Sequence, residues 1–458
     1  QDVAEHALRK QLDSLNGRWG CAILMEVETG YVRAIANLGR NADSTFSEVD
    51  NFAVRYPVEP GSTMKLMSLM SAFEEGTIEV TDTVNTGNGE RNFNGVTLHD
   101  SHKGGYGSIS VEQVFAKSSN VGTALAVRKA FASQPQKFLD YLNGFGLGTP
   151  LGIDLEGEVS PSVYASVKDA KWSANSLTQM SIGYEIAFTP MQVLAFYNAV
   201  ANHGNLVRPS FVQAIKKSNG QIETKAPVIL RKEICKESTI QQCRQMMEAV
   251  GKPGGTAYEA FKNSPYKVAG KTGTCWLWEN GKYQDNRYRA SFVGYFPADK
   301  PKYSCIVVIE DPRGLYYASQ VAAPVFRELA DKIYSTALDI HGNNLVKTDK
   351  QYAPHFKAGM SKNFHLLSQK FQLPIVKKDN GSDWAYPTSE NDKMVMTGMN
   401  VREGVVPNCV GMGMRDAIQA IQNAGYRYKI QGKGKVVGQN ILAGTPMKKG
   451  SVIVIQLQ

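Results

Sequence analysis

No stretch of this chain approaches the roughly 20 consecutive apolar residues that cross a bilayer, and its longest apolar runs, such as residues 21–25, are strand-sized. The first ten residues are polar and helix-like, so no secretion signal opens the chain and it reads as a mature or trimmed soluble piece. Six scattered cysteines (Cys21, Cys235, Cys243, Cys275, Cys305, Cys409) lack the C-x-x-C pairing of a zinc or dithiol site. Only Cys235 and Cys243 are close enough to suggest a local disulfide. No basic stripe interleaved with aromatics is present, so nucleic-acid binding is not expected. A G-x-S-x-G elbow and a triad histidine are likewise missing, which disfavours a triad hydrolase. What remains is an ordinary globular composition, 42% hydrophobic and 20% charged over 458 residues, enough for two or three domains. The formal net charge of +9 gives a modest preference for anionic surroundings, or simply a solvated surface.

Periodicity supplies the architecture. Ala4, Ala7, Leu8, Leu12 and Leu15 fall on one stripe, which predicts an amphipathic helix over Asp2–Leu15. Apolar runs at 21–27 and 31–38 flank Glu28-Thr29-Gly30 and predict a hairpin. Residues 58–260 are mostly of helical period, strand character returns at 266–270, 288–295 and 303–310, and a long helix is expected over 319–338. Strands at both ends with helices between them indicate an α+β fold, an antiparallel sheet covered by helices, over residues 1–338. Residues 339–400 are polar and broken by Gly, Pro and Ser, the pattern of a partly structured linker. Residues 401–458 then read as a small α+β module, with a helix from Met414 to a capping Gly425 and strands at 426–430, 435–437 and 451–457.

Three short motifs carry chemistry. In Glu59-Pro60-Gly61-Ser62-Thr63-Met64-Lys65, a breaker precedes apolar residues of helical spacing, so Ser62 falls at a helix start and Lys65 one turn later on the same face. A serine hydroxyl needs a base to become a nucleophile, and a lysine amine can serve once burial lowers its pKa. Backbone N–H groups at a helix start also suit developing negative charge. Ser118-Ser119-Asn120, between helical stretches, offers a hydroxyl and a carboxamide in a tight turn. Lys271-Thr272-Gly273-Thr274, expected at the end of the strand 266–270, offers a cation, two hydroxyls and a glycine permitting close approach. Taken singly, each has an ordinary explanation as a cap, a turn or a basic strand end.

In this order the three form the S-x-x-K, S-x-N and K-T-G set of penicillin-binding proteins and serine β-lactamases. Together with the segment Ser181-Ile182-Gly183-Tyr184-Glu185-Ile186-Ala187-Phe188-Thr189-Pro190-Met191-Gln192, the chain up to about Leu338 resembles class B penicillin-binding proteins, the septal D,D-transpeptidases, and the tail from Val401 is similar to a PASTA domain. The resemblance implies Ser62 as acylated nucleophile and Lys65 as its base. It assigns proton transfer to Ser118, donor binding to Asn120 and charge stabilisation to Lys271. Thr272 and Thr274, with Gly273 between them, would hold a terminal carboxylate, and the N–H groups of Ser62 and Thr274 would form the oxyanion hole. The implied donor is a D-Ala-D-Ala stem peptide of peptidoglycan and the acceptor an amine on a neighbouring stem. β-Lactams would block Ser62, and a glycan polymerase and other cell-division proteins are the implied partners. The implied location is the extracytoplasmic face of the bacterial inner membrane, this chain being a fragment without its membrane helix.

Other readings stay open at this point. A D,D-carboxypeptidase or serine β-lactamase would pass the acyl group to water; Glu156, Glu158 and Glu185 lie where a water-activating glutamate would fall, although Gly157-Glu158 also fits the transpeptidase pattern. A wall-binding sensor with an inactive transferase domain is the non-enzymatic alternative. No cofactor or metal is expected. His99-Asp100-Ser101-His102 reads as a polar loop, and Gly411-Met412-Gly413 lacks the βαβ context of a nucleotide site. Met64, Met67 and Met70 are expected to pack behind Ser62.

Overall fold

The structure, a computed structural model, describes residues 1–336, 356–371, 373–378, 381–390 and 393–458. It divides into two compact units, Gln1–His341 and Gly342–Gln458.

The first unit is built on one six-stranded sheet in the order Ala269–Glu279, Lys282–Phe296, Tyr303–Glu310, Trp19–Glu26, Val32–Arg40, Phe46–Ser47, every neighbour antiparallel. Its first and last segments in sequence thus meet at the centre, where Trp19–Glu26 pairs with Tyr303–Glu310. The helix Asp2–Leu15 forms as its stripe predicts, with Ala4, Ala7, Leu8, Leu12 and Leu15 buried. Leu8 and Leu12 lie over Gly20 and Gly17 beside Ile309, so closely that a Cβ on Gly20 would stand 2.9 Å from Leu8. The opposite face is covered by the helix Pro190–Ala201, whose Asn198 accepts from Ser304 Oγ at 2.7 Å and donates to Val27 O at 3.0 Å. A strand covered on both faces has no polar alternation, which is why 21–25 and 305–309 are unbroken apolar runs.

Three boundaries differ from expectation. The strand expected to stop at Gly270 starts at Ala269 and runs to Glu279, because Trp276 and Trp278 continue the pairing onto Tyr288 and Tyr283. Lys271-Thr272-Gly273-Thr274 therefore sits inside a strand, and that strand is the edge of the sheet. The partner expected over 288–295 spans Lys282–Phe296. The helix expected over 319–338 is two, Ala318–Val321 and Ala323–Thr336, since Pro324 has no N–H to continue the first; Leu338 lies outside the described residues. All six cysteines are free and buried, so the disulfide suggested for Cys235 and Cys243 does not form.

The helical region holds Met64–Glu74 at its centre, buried without interruption from Met64 to Phe73, with Met64, Met67 and Met70 all at 0% exposure. A helix buried all round belongs inside a bundle, and Asn120–Phe131, Pro135–Gly144 and Glu237–Ala249 pack around it. Two small hairpin-like sheets interrupt this region, Thr83–Asn85 with Ser108–Ser110 and Glu90–Phe93 with Val96–His99.

In the second unit the described part of the stretch expected as a linker carries more regular structure than its polar pattern suggested: the helix Ser361–Phe371 and a four-stranded sheet of Gly359–Met360, Trp384–Glu390, Lys393–Met399 and Ile375–Lys378. Residues 339–355 of that stretch lie outside the described residues. Its few apolar side chains are concentrated where they bury, Trp384 and Ala358 joining the core of Ala417, Ala420, Ile421, Ile453 and Ile455. The last module forms as read, a helix Met414–Asn423 on the strands Arg427–Gly432, Val436–Gln439 and Val452–Leu457.

One buried carboxylate ties the first unit's sheet together. Glu310, with its side chain 2% exposed, accepts from Trp19 Nε1 at 2.7 Å and Arg289 Nε at 2.9 Å and also pairs with Arg18. These partners come from the strands on either side of it. Removing one member of a buried ion pair strands the other charge, a loss of roughly 3–5 kcal/mol. Glu310→Gln is therefore expected to lower the unfolding free energy of this unit by about 3 kcal/mol, measured by urea denaturation.

Candidate active site

Ser62 lies in a single 3-10 turn, Gly61–Thr63, that feeds directly into the helix Met64–Glu74. The turn is held from three sides. Thr63 Oγ1 donates to Pro60 O at 2.8 Å, the buried Tyr197 hydroxyl donates to Thr63 O at 2.8 Å, and Gly61 N–H donates to Gly183 O at 3.2 Å. Gly183 has φ +95°, and a Cβ there would stand 2.0 Å from Gly61 O. No side chain fits between the two segments. The Ser62 side chain faces a cleft that Ser118, Asn120, Thr272 and Thr274 also line.

Lys65 is fully buried, one turn after Ser62. Its Nζ lies 2.7 Å from Ser118 O, 2.7 Å from Asn120 Oδ1 and 3.2 Å from Ser118 Oγ. Burial pulls its pKa down to about 7, opposed by the negative charge of Asp100. A neutral amine has two protons and one lone pair. Its two short contacts use the protons, leaving the lone pair for a hydroxyl. Ser118 is held at φ +58°, a left-handed conformation uncommon for a residue with a side chain, immediately before the helix Asn120–Phe131. Ser119 caps that helix, accepting from Gly122 N–H at 2.9 Å. Asn120 spends one Nδ2 proton on His99 O at 2.9 Å, so its second can face the cleft.

Lys271 is the other fully buried amine. It donates to Thr272 O at 3.0 Å and approaches Thr272 Oγ1 at 3.4 Å. Burial, reinforced by Lys65, pushes its pKa well below the ordinary lysine range. Thr272 Oγ1 meets Thr256 Oγ1 at 2.8 Å, and Thr274 Oγ1 accepts from Ala318 N–H at 3.3 Å. Gly273 allows the edge strand to close on the Ser62 turn: a Cβ would stand 2.9 Å from Thr63 Cγ2 and 2.3 Å from Ser291 Oγ.

All eight residues picked from the sequence thus meet at one cleft wall or directly behind it. The amine of Lys65 is engaged by Ser118 and Asn120, and that of Lys271 by Thr272. Tyr184, from the segment Ser181 to Gln192, also lines the cleft, as do Thr256 and Tyr317, which had no sequence signal of their own. Asp100, dismissed with its polar loop, binds the Ser119 hydroxyl at 2.8 Å. The candidate water-activating glutamates lie elsewhere. Glu158 accepts from the N–H groups of Leu151 and Ile153, and Glu185 from Ser176 at 2.6 Å, while the cleft lining contains no carboxylate among the described residues. No cluster of metal ligands occurs among the described residues, and no described helix is long and apolar enough to cross a membrane.

With the geometry in view, comparison with known proteins is informative. Residues 20–331 match the penicillin binding protein transpeptidase domain, and residues 404–458 match the PASTA domain. The chain is 28% identical over 348 residues to the probable peptidoglycan D,D-transpeptidase PenA of Neisseria flavescens, covering 75% of this chain and 80% of that one. It is 31% identical over 338 residues to the peptidoglycan D,D-transpeptidase FtsI of Escherichia coli K12, covering 72% of this chain and 53% of that one. It spans about half the length of FtsI and of the mycobacterial penicillin-binding protein PbpB. Among solved structures it is similar to the transpeptidase domain of Burkholderia pseudomallei penicillin-binding protein 3 (TM-score 0.63, 25% identity, 74% of this chain and 94% of that one). The ampicillin complex of Mycobacterium tuberculosis penicillin-binding protein 3 is equally alike (TM-score 0.63, 28% identity, 73% and 76% covered).

The fit between Gly183 and Gly61 can be tested without reference to activity. Gly183→Ala forces a left-handed backbone onto a residue with a Cβ and drives that atom into the carbonyl before Ser62. It is expected to destabilise the first unit by about 2 kcal/mol or more, read as a lower thermal unfolding midpoint.

Proposed function

The chain belongs to the penicillin-binding protein transpeptidase family, and from that premise we propose that it is a peptidoglycan D,D-transpeptidase of septal wall synthesis, acylated by β-lactams. The single observation that carries this reading is the buried Lys65 amine, near neutral pKa, held between Ser118 and Asn120 behind a cleft that opens on Ser62.

Ser62 Oγ attacks the carbonyl carbon of the D-Ala-D-Ala peptide bond as its proton passes to Lys65 Nζ. The carbonyl oxygen becomes an oxyanion held by the N–H groups of Ser62 and Thr274. On collapse the C–N bond breaks, and the departing D-Ala nitrogen takes a proton relayed through Ser118. Thr272 and Thr274 bind the donor's terminal carboxylate, with the Lys271 amine behind them donating to the Thr272 carbonyl, and Asn120 holds the donor backbone. An amine of a second stem peptide then attacks the acyl carbon, releases a proton through Ser118 and Lys65, and returns Ser62 to its hydroxyl. The edge position of Ala269–Glu279 supports binding of an extended donor, since an edge strand has backbone groups free to pair. A cleft lining without a carboxylate among the described residues does not favour the glutamate-activated water of a serine β-lactamase.

Peptidoglycan lies outside the cytoplasmic membrane, so the extracytoplasmic face is the proposed place of work, beside a glycan polymerase and other division proteins. The PASTA-like module would serve as an accessory unit there.

A fluorescent penicillin is expected to label the protein covalently, with a mass increase of one antibiotic per chain, and Ser62→Ala to abolish labelling while leaving the thermal unfolding midpoint in place. Labelling that survives Ser62→Ala would defeat the assignment. The pH profile follows from Lys65. Below its pKa of about 7 the amine holds its proton and cannot accept another. The acylation rate constant should therefore rise about tenfold per pH unit up to about 7 and level off above it. Lys65→Met should lower that plateau by about 100-fold to 10,000-fold.

A further inference from the structure

The loop His99-Asp100-Ser101-His102 follows the strand Val96–His99 and shows no metal-binding geometry, yet its carboxylate is not idle. Asp100 Oδ2 accepts from Ser119 Oγ at 2.8 Å and Oδ1 accepts from Val121 N–H at 3.0 Å, while its own N–H donates to Gly89 O at 2.8 Å. We propose that Asp100 is a positioning residue of the reaction, locking the Ser118-Ser119-Asn120 turn around the Lys65 amine.

The positional part rests on a chain of hydrogen bonds. Asp100 fixes Ser119 and the first turn of the helix Asn120–Phe131, where a negative charge is favoured by the exposed N–H groups. The adjacent carbonyl of His99 takes an Asn120 Nδ2 proton, which orients Oδ1 toward Lys65. Both ties keep Ser118 in its left-handed conformation, with its carbonyl and hydroxyl facing the same amine.

The electrostatic part rests on the inventory of charges around Lys65. Asp100 acts on it from the loop, and Lys271 stands beside it on the sheet. The helices Asn120–Phe131, Pro135–Gly144 and Glu237–Ala249 that pack on its own helix add no further charge to the balance. Burial favours the neutral amine. Asp100 is the opposing charge, and by raising the amine's basicity it makes Lys65 a stronger acceptor for the Ser62 proton.

This inference rests on the reading of Lys65 as the base, and the test separates the two. The second-order rate constant for acylation by benzylpenicillin is measured between about pH 5 and 9. In Asp100→Asn the midpoint of the rise should move down by about one pH unit and the plateau should fall about tenfold. Asp100→Glu, which keeps the charge but misplaces the oxygens, should retain the midpoint and lose a similar part of the plateau; it also decides the positional part should Asp100→Asn not fold. A wild-type profile that is flat through neutral pH sinks the base reading itself. A normal wild-type profile with an unmoved midpoint in Asp100→Asn, or an undiminished plateau in Asp100→Glu, overturns the role of Asp100 alone.

Discussion

Two lysine amines with no exposed surface stand behind the cleft of the first unit. Each would be a liability in an ordinary core, because a buried ammonium loses its hydration without full repayment. Here they stand near one another, so that burial and mutual repulsion both favour the uncharged form. The surrounding polar atoms accept amine protons and leave a lone pair over. A base near neutral pH is thus a consequence of packing, and the helix Met64–Glu74 that carries Lys65 is buried along its length for the same reason.

That environment exists only if three distant stretches close on one another, and small residues permit the closure. Gly183 admits the Ser62 turn and Gly273 admits the edge strand to its other side; neither position has room for a Cβ. The sheet supplies rigidity behind them, stapled by Glu310 and its partners at its centre. The edge strand is then both a wall of the cleft and an open hydrogen-bonding edge, a combination that an interior strand could not offer.

Much of this was legible in the residues. The stripe of Asp2–Leu15, the strand Tyr303–Glu310 and the final helix and strands of the tail appear where their periods put them, since these elements are amphipathic or uniformly buried in ways a pattern records. The extension of the motif strand to Glu279 and the split at Pro324 were less visible, as both depend on partners in space. The second unit's sheet between Gly359 and Met399 hid behind polar residues because its few apolar side chains join a core with distant positions, Trp384 sharing it with Ala417 and Ile421. Thr256 and Tyr317 gave no signal at all, being ordinary residues placed at the cleft by loops.

The order and spacing of Ser62, Lys65, Ser118, Asn120 and Lys271 were enough for a resemblance to penicillin-binding proteins and serine β-lactamases, with an amine or water left open as the acyl acceptor. What folding alone decided is the state of those groups. A lysine's charge depends on solvent and neighbours, neither of which a linear string contains, so the lowered pKa of Lys65, the left-handed turn at Ser118 and the carboxylate of Asp100 behind it became visible only once the chain had closed around them.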